Sequence, residues 1–350
     1  MKKGILFSNE TVFKTPEVFD FDYVPEEFLF RSDQIKEIAN CLNPAINKKR
    51  PINCMLSGEP ATGKTTSIKK IFEELTGYSH IIRVYINGRV HNTTFRVFSE
   101  IHKALFKYTP PESGIPVTSL YQKICEYLKV ENKILIIAID DAVFLEEADS
   151  VIYELSRAYE LYPGIKIGII AVLNEKEKYI IEEKSASVFC PSIIEYFPYS
   201  EEETFDILKI RTKIGLYDGV LSDNLIKLIA HYSNEYDLRF AIELLRQSAI
   251  ECENRSQKAI LKEHIEKAYS RILKKDKPGK EIDEKEKIIL EILNAKNYES
   301  GDLFEILKKK IDISYSSFYR IIEKMEKKKL IVVSEKATNK GRTRVISKDK

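Results

Sequence analysis

What the sequence lacks excludes several classes of protein. Its five cysteines lie far apart and form no C-x-x-C pair, so neither a disulfide framework nor a cysteine-based metal site is indicated. No apolar run approaches the length of a membrane span, and residues 1–30 lack the basic-then-apolar order of a signal peptide. Internal repeats are absent, and the five histidines are scattered. These absences favour a cytoplasmic protein with no membrane partner, in a reducing compartment.

Charge is distributed unevenly along the 350 residues. Residues 271–350 carry 22 Lys and Arg against 14 Asp and Glu, a net charge of +8, whereas the other residues carry 34 against 40, a net charge of −6. A basic carboxyl-terminal module on a mildly acidic body indicates a polyanionic partner for that module. A lysine-rich solvated surface explains the same composition equally well.

Residues 52–67, INCMLSGEPATGKTTS, contain the strongest motif. A short apolar strand leads into a loop that matches G-x-x-x-x-G-K-S/T and then into a helix, which is the context this motif requires. Glycines let backbone N–H groups close on phosphate oxygens, while Lys64 suits the β- and γ-phosphates and the Thr65 hydroxyl suits Mg²⁺. A chance match in a turn is the alternative. The predicted nucleotide-binding residues are Gly58, Glu59, Pro60, Ala61, Thr62, Gly63, Lys64, Thr65 and Thr66.

A second run, ILIIAIDD at residues 134–141, is an apolar strand that ends in two carboxylates. Alone, such an ending is usually a turn or a helix cap. After a phosphate loop it predicts that Asp140 holds Mg²⁺ and that Asp141 orients or deprotonates the attacking water. A third apolar strand, residues 165–173, delivers Asn174 to the same sheet edge, where it could position the water or read the γ-phosphate.

Strands and helices alternate through about residue 195, which predicts an α/β fold with a parallel sheet. Four helices follow at 201–214, 222–232, 237–251 and 260–273, and the first begins at a capping box, residues 200–203. KPGK at 277–280 predicts a linker. Helices at 284–295, 301–310 and 315–329, with strands at 330–335 and 344–347, then have the order of a winged helix-turn-helix. The predicted domains are a base (1–195), a helical lid (196–276) and a winged helix (281–350).

These segments resemble the archaeal origin-recognition initiators, which are AAA+ ATPases of the Orc/Cdc type. The resemblance covers nearly the whole chain. It is carried by the segments YVPEEFLFRSDQIKEI, SGEPATGKT, INGRVHNTTFRVFSEI, ILIIAIDDAVFL, GIIAVLN, SIIEYFPYSEEETFDILKIR, YDLRFAIELLRQSA and KGRTRVIS. It implies a phosphate-loop AAA+ base with a helical insertion at about 88–110. It also implies nucleotide contacts from Tyr199 and Arg211 and a second sensor at Arg239.

Two departures from the family pattern predict weak hydrolysis. The family usually has Asp-Glu where this chain has Asp140 and Asp141, and a misplaced base can cost on the order of 10²-fold in rate. The family's trans-acting arginine finger aligns with Lys184, and lysine is a point charge and not a planar fork. The predicted catalytic set, Asp140, Asp141, Asn174, Lys184 and Arg239, therefore favours a nucleotide switch over a fast ATPase.

DNA binding is predicted from the tail and the insertion. The exposed face of the third tail helix would lie in a major groove, with Arg320 reading guanine and the others bonding phosphates. Wing residues would reach an adjacent minor groove or its backbone. The predicted DNA-binding residues are Ser316, Ser317, Arg320, Lys324, Lys340, Arg342 and Arg344, with Arg89 and Arg96 of the insertion. Winged helices also dock proteins, and for any single side chain a solvated role is as good a prediction.

The sequence thus predicts an ATP/ADP- and Mg²⁺-binding replication initiator that recognises origin duplex DNA, promotes loading of the replicative helicase and hydrolyses ATP weakly as a switch. Other copies or paralogues on DNA are further expected partners, and a nucleoid-associated cytoplasmic location follows. The alternative is a non-hydrolysing paralogue that regulates origins or transcription. A signalling or mobile-element NTPase whose winged helix binds protein is a third hypothesis.

Overall fold

The computed structural model describes residues 11–111, 114–174, 183–275, 284–293, 297–311, 313–327, 330–338 and 341–348. The chain divides into two compact units, residues 1–268 and 269–350. The predicted linker at 277–280 lies outside the described residues. None of the described helices is long and apolar enough to cross a membrane.

A parallel five-stranded sheet forms the centre of the first unit. Its strands are β1 (Cys54–Gly58), β2 (Ile81–Asn87), β3 (Ile134–Asp140), β4 (Lys166–Leu173) and β5 (Ser192–Tyr196). Their order in the sheet is β2-β3-β4-β1-β5. The predicted parallel α/β fold is confirmed, and β5 adds an edge strand that the sequence reading did not identify. Every residue of β3 is buried, as its apolar run indicates for a strand covered on both faces.

The strand register brings the chemically important strand ends together. Asn87 of β2 is the register partner of Asp140 of β3, and Ser57 of β1 is the partner of Leu173 of β4. Because all five strands are parallel, their carboxyl ends lie at one edge, where Gly58, Asp140 and the residue after Leu173 are neighbours. This is the edge at which ligands bind in open α/β sheets.

Helices pack on both faces of this sheet. They are α1 (Ser32–Ile46), α2 (Lys64–Glu74), α3 (Thr94–Phe106), α4 (Val117–Val130), α5 (Ala148–Leu161) and α6 (Glu183–Phe189). Ile38 of α1 and Ile68 of α2 are buried on one face, and Phe98 of α3 and Leu120 of α4 are buried on the other. The helix pair α3 and α4 is inserted between β2 and β3, and α3 falls inside the predicted insertion.

Helices follow the sheet without further described strands in this unit. They are α7 (Glu201–Gly215), α8 (Asp223–Tyr232), α9 (Leu238–Asn254) and α10 (Lys262–Lys275), close to the predicted bounds, and α10 continues past residue 268, where the first unit ends. The predicted capping box is confirmed: the Ser200 hydroxyl accepts from the Glu203 N–H at 3.1 Å, and the Glu203 carboxylate accepts from the Ser200 N–H at 2.9 Å. Both orphan donors are thereby satisfied, so the helix begins sharply after the sheet.

The amino-terminal segment is attached to the end of α7. The backbone N–H of Lys14 donates to the carbonyl of Gly215 at 2.8 Å, and Phe13 forms an isolated antiparallel bridge with Leu216. Phe19 is buried against Gly215, where a Cβ atom would lie 2.5 Å from the ring. The segment predicted to belong to the base therefore also packs on the lid.

The second unit contains α11 (Glu284–Leu293), β6 (Tyr298–Glu299), α12 (Ser300–Lys308), α13 (Tyr315–Lys327), β7 (Ile331–Thr338) and β8 (Gly341–Lys348). This is the predicted winged-helix order, with one correction: β6 joins the two predicted strands in an antiparallel sheet of order β6-β8-β7. Phe318, Ile322 and Met325 of α13 are buried in the core of this unit, and Ile321 is partly buried against it, as the helical spacing predicts.

Candidate nucleotide site

A cavity of 490 Å³ lies between the carboxyl edge of the sheet, the amino-terminal segment, α7 and α9. This volume lies in the range of small-ligand pockets. The sequence-predicted residues that line it are Pro60, Ala61, Thr62, Gly63, Lys64, Thr65, Thr66, Asp140, Asp141, Asn174, Tyr199, Arg211 and Arg239. Its other walls come from residues 21–25, 27–29, Lys69, Arg89, Val172, Leu173, Ile207, Ile210, Leu238 and Ile242.

Two glycines let the phosphate loop turn tightly between β1 and α2. Gly58 has φ +154°, and a Cβ atom there would lie 2.1 Å from the Tyr196 carbonyl oxygen. Gly63 has φ +97° and precedes the first residue of α2, and a Cβ atom there would lie 2.8 Å from the Tyr199 hydroxyl. Any other residue would push the loop away from its neighbours, so both positions require glycine.

The Lys64 side chain is positioned by backbone carbonyls of the phosphate loop. It is buried, and its Nζ donates to the carbonyls of Gly58 at 2.7 Å and Glu59 at 2.6 Å. Gly58 and Glu59, the two predicted nucleotide-binding residues that do not line the cavity, thus hold the Lys64 amine in place through their carbonyls. A buried ammonium beside the N-terminus of α2 makes this end of the cavity suited to an anion, as a phosphate group requires.

The predicted Mg²⁺ ligands lie in direct contact. The Thr65 Oγ1 donates to Asp140 Oδ2 at 2.6 Å, and Asp140 Oδ1 accepts from the Asp141 N–H at 3.0 Å. A hydroxyl and a carboxylate are the hard oxygen ligands that Mg²⁺ takes in phosphate-loop proteins, so these residues fit the ion.

Tyr85, on the edge strand β2, is a site residue that the sequence reading missed. Its hydroxyl donates to Asp140 Oδ2 at 2.7 Å, the same oxygen that Thr65 contacts. Partial desolvation, reinforced by the Asp140 carboxylate, raises the pKa of the Tyr85 hydroxyl, so it stays protonated and acts as a donor. The only signal in the sequence is a tyrosine two residues before the end of a strand that neighbours the acidic strand.

Asp141 is held by an arginine that was predicted for another role. Its backbone has φ +52°, and its Oδ2 accepts from Arg89 Nε at 2.8 Å. The Arg89 guanidinium also lies 3.8 Å from the centre of the Phe144 ring. The structure therefore places Arg89, predicted to bind DNA, in the wall of the cavity and against the predicted general base. Its contact with DNA stays a prediction.

The predicted sensors reach the cavity from different elements. Asn174 directly follows β4, and Arg239 lies in the first turn of α9, which Asp237 caps by accepting from the Phe240 N–H at 3.0 Å. Arg211 of α7 is buried; it donates to the Val18 carbonyl, and its guanidinium lies 5.1 Å from the Tyr23 ring. Burial lowers the pKa of Arg211. Arg211 thus ties the lid to the amino-terminal segment, and its nucleotide contact stays a prediction.

The other predicted residues are placed as follows. Lys184 lies in α6, Ser316 and Lys324 in α13 and Arg342 in β8, but their side chains lie outside the described part; Lys340 lies outside it entirely. Arg96 Nη1 donates at 3.4 Å to the Val90 carbonyl and to Asn92 Oδ1.

On the second unit, Ser317 and Arg320 are exposed on α13. Arg344 of β8 is exposed, and its guanidinium lies 5.0 Å from the centre of the Tyr319 ring. The wing residue Arg344 is therefore brought beside the predicted recognition helix. Within this unit the two predicted DNA-contacting elements touch through Arg344 and Tyr319, and each carries an exposed arginine.

Comparison with known proteins first defines the class. The AAA domain family matches residues 48–177, and the Cdc6 AAA+ ATPase-type lid domain family matches residues 205–270. These ranges cover the phosphate loop, β3 and β4, and then the helices of the lid. The first unit is therefore an AAA+ base followed by a Cdc6-type lid.

Two relatives that align over nearly their whole length identify the family. The chain is 38% identical to the ORC1-type DNA replication protein 2 of Methanothermobacter thermautotrophicus, over 97% of this chain and 92% of the relative. It is 36% identical to the protein of the same designation from Methanosarcina mazei, over 98% and 94%. The chain belongs to the ORC1-type DNA replication protein family, and the predicted family is confirmed.

Solved structures share the fold. The Aeropyrum pernix ORC1 protein in complex with DNA aligns with a TM-score of 0.74 at 22% identity, over 98% of this chain and 95% of that one. The Aeropyrum pernix ORC2 protein in its ADPNP-ADP complexes aligns with a TM-score of 0.66 at 19% identity, over 96% and 94%. These matches confirm the AAA+ architecture.

Proposed function

We propose that this protein is an ATP-binding replication initiator that binds origin duplex DNA and uses slow hydrolysis as a conformational switch. The observation that carries the proposal is that Lys64, the Thr65–Asp140 pair and the lid residue Arg239 all line one cavity. Since base and lid both line this cavity, a nucleotide bound there would contact both. The relative solved with ADPNP and ADP supports the choice of ligand.

Each polar group in the cavity has a distinct task. The Lys64 ammonium would exchange the Gly58 and Glu59 carbonyls for β- and γ-phosphate oxygens, which are stronger, charged acceptors. Thr65 and Asp140 would hold Mg²⁺, which supplies positive charge against the phosphates when bound. Asn174 would orient a water at the end of β4, and Asp141 would accept its proton.

Slow hydrolysis follows from the state of Asp141. Its side chain is one methylene shorter than the usual glutamate, and one of its oxygens is engaged by Arg89 at 2.8 Å. A carboxylate that is set back and has one oxygen occupied by a guanidinium is poorly placed to take a proton from the attacking water. Lys184 in place of a finger arginine removes the planar fork that clamps a transferring phosphoryl group.

DNA binding is proposed for the second unit. Exposed Ser317 and Arg320 on α13 and exposed Arg344 on β8 form a polar and basic surface on a module with a net charge of +8. A helix of this kind fits a major groove, and a wing beside it fits the adjacent backbone. The relative solved in complex with DNA supports this assignment. Promotion of replicative helicase loading, with other copies or paralogues assembled on DNA, completes the proposal.

The proposal is tested by footprinting on candidate origin DNA with ATP and with ADP. We expect the protected region to change with the nucleotide, and we expect Lys64→Ala to give one footprint in both conditions. Single-turnover hydrolysis should run far below the roughly 10 s⁻¹ of a typical enzyme. Fast hydrolysis, or identical footprints with ATP and ADP, would contradict the switch.

A second candidate function is favoured by the Arg89–Asp141 pair and by Lys184: a non-hydrolysing paralogue that regulates origins or transcription. An origin-firing assay that compares Lys64→Ala with Asp141→Asn separates the two. Loss of firing in both variants supports the hydrolysing switch, whereas normal firing in both identifies a passive DNA binder. Loss in Lys64→Ala alone would show that binding suffices.

A further inference from the structure

Arg31, directly before α1, is a buried arginine that joins three separate segments of chain. Only 4% of its surface is exposed. Its Nε donates to the Thr62 carbonyl at 2.8 Å, its Nη1 to the Phe30 carbonyl at 2.7 Å and its Nη2 to the Phe197 carbonyl at 2.7 Å. These acceptors belong to the phosphate loop, the amino-terminal segment and the link between β5 and the lid.

The same guanidinium stacks on a tyrosine that lines the nucleotide cavity. Its central carbon lies 3.8 Å from the centre of the Tyr199 ring. The hydroxyl of the same tyrosine packs against Gly63, at 2.8 Å from where a Cβ atom would stand. Arg31 itself does not line the cavity, so it touches the walls from behind. It contacts Thr62 in the phosphate loop and Tyr199 in the segment that links β5 to the lid.

This arrangement depends on the shape of the guanidinium. Three carbonyls in different directions and one aromatic face are served at once by a planar group with donors at fixed angles. A lysine ammonium is a single point that can neither stack flat on the ring nor reach all three carbonyls. Three carbonyl oxygens accept hydrogen bonds from Arg31, and its guanidinium also contacts the neutral Tyr199 side chain, so charge pairing with these groups does not explain its burial.

We infer that Arg31 is a positioning residue of the nucleotide site, one that couples the Tyr199 wall to the phosphate loop. The inference rests on the proposed nucleotide binding. With Arg31 in place, the Tyr199 ring and the Thr62 carbonyl keep a fixed relation, so a ligand that spans both walls meets a site already formed. The affinity of a ligand that touches the phosphate loop alone should not depend on the relative position of Tyr199 and Thr62.

The test is a double-mutant cycle on ADP affinity, measured by titration calorimetry with Arg31→Lys, Tyr199→Leu and the double variant. We expect Arg31→Lys to weaken ADP binding about tenfold, since it removes hydrogen bonds that a charged donor makes. The double variant should lose clearly less than the product of the two single losses, because both changes break one link. Strictly multiplicative losses, or ADP affinity unchanged in Arg31→Lys, would overturn the inference.

A second ligand separates positioning from general damage. Inorganic tripolyphosphate reaches only the phosphate side, so Arg31→Lys should lower its affinity less than about twofold. An equal loss for ADP and tripolyphosphate would mean that the loop itself has collapsed, and it would refute the coupling. Arg31→Gln, which keeps two donors without charge, should behave like Arg31→Lys and provides a second reading if either variant is poorly stable.

Arg50 offers a matched control. It also donates to a backbone carbonyl, that of Ser156 at 3.0 Å, and its guanidinium lies 4.4 Å from the Tyr159 ring, but it does not line the cavity. Arg50→Lys removes similar contacts and should leave ADP affinity unchanged. If wild-type protein binds neither ATP nor ADP, the proposed function fails; if it binds both and Arg31→Lys binds equally well, only this inference fails.

Discussion

The two predicted binding surfaces of this protein are built in opposite ways. At the phosphate end of the nucleotide cavity, the charged groups Lys64 and Asp140 are buried and already hydrogen-bonded within the protein: Lys64 to loop carbonyls, and Asp140 to Thr65 and Tyr85. On the second unit, Arg320 and Arg344 are exposed to solvent. Burying a charge is costly unless it is paired, so a small-ligand site needs internal partners before the ligand arrives. A surface for a polyanion can leave its charges in water until they meet phosphate.

This difference between the two surfaces predicts which single substitutions should reduce ligand binding or activity most. A buried group that both holds its own loop and contacts the ligand should be the most sensitive. An exposed group that binds the ligand together with neighbouring groups should be less sensitive, and an exposed group that contacts only another side chain of the site should be least sensitive. The following variants test that order from the largest effect to the smallest.

Lys64→Ala should reduce ATP and ADP affinity about 100-fold, because a buried charged donor to the phosphates is lost. Titration calorimetry measures this directly. Lys103→Ala, which removes the same charge from a surface pair with Glu100 on α3, is the control and should bind normally. A loss under about threefold in Lys64→Ala would show that the cavity does not bind phosphate in the proposed way.

Arg320→Ala should weaken duplex binding about tenfold and relax the preference at one base pair, as loss of a guanine contact does. Fluorescence anisotropy on matched duplexes at two salt concentrations provides the measurement. Arg157→Ala, which removes an arginine paired with Glu160 on α5, controls for net charge. Equal weakening on every sequence would assign Arg320 to the phosphate backbone instead.

Tyr85→Phe should raise about threefold the Mg²⁺ concentration needed for full nucleotide-dependent thermal stabilisation, because Asp140 loses one hydrogen bond that orients it. The same variant without Mg²⁺ should be stabilised by ADP as wild type is. A change in the absence of Mg²⁺ would assign Tyr85 to the fold and not to the metal position. This effect is smaller because Thr65 still contacts the same carboxylate oxygen.

Arg89→Ala should raise single-turnover hydrolysis about two- to threefold, since it frees the Asp141 carboxylate. Stability should hardly change, because both side chains are well exposed and such pairs contribute little. Arg96→Ala removes a nearby arginine that contacts Val90 and Asn92 and should leave the rate unaltered. Slower hydrolysis in Arg89→Ala would mean that Arg89 assists catalysis.

The parts of the fold that were predictable have strong local signals. The β3 run of apolar residues ending in Asp140 indicated a buried strand, and Ser200 with Glu203 indicated the start of α7 from four residues. Strand β5 has five residues, of which the first two are exposed, and β6 has two; neither shows a readable alternation. β5 forms because it pairs with β1, and β6 because it pairs with β8, and these pairings depend on the tertiary structure and not on the local sequence.

The same distinction holds in the cavity. The motif residues were predictable because their spacing is fixed by the loop and the strand end. Tyr85, Arg31 and the Arg89–Asp141 pair were not, because each depends on which segments the fold brings together. An arginine before a helix and an arginine in a loop look alike in the sequence, yet one is buried against three carbonyls and the other pairs with a carboxylate.

The attachment of residues 13–19 to the end of α7 has a mechanical consequence. The chain is fixed at one end to the lid and at the other, through Arg31, to the sheet and its phosphate loop. The roughly ten residues between these anchors can extend to about 35 Å at most. This segment therefore acts as a tether. Its maximum extension limits how far the lid can move from the sheet before residues 21–25 and 27–29, which line the cavity, are displaced.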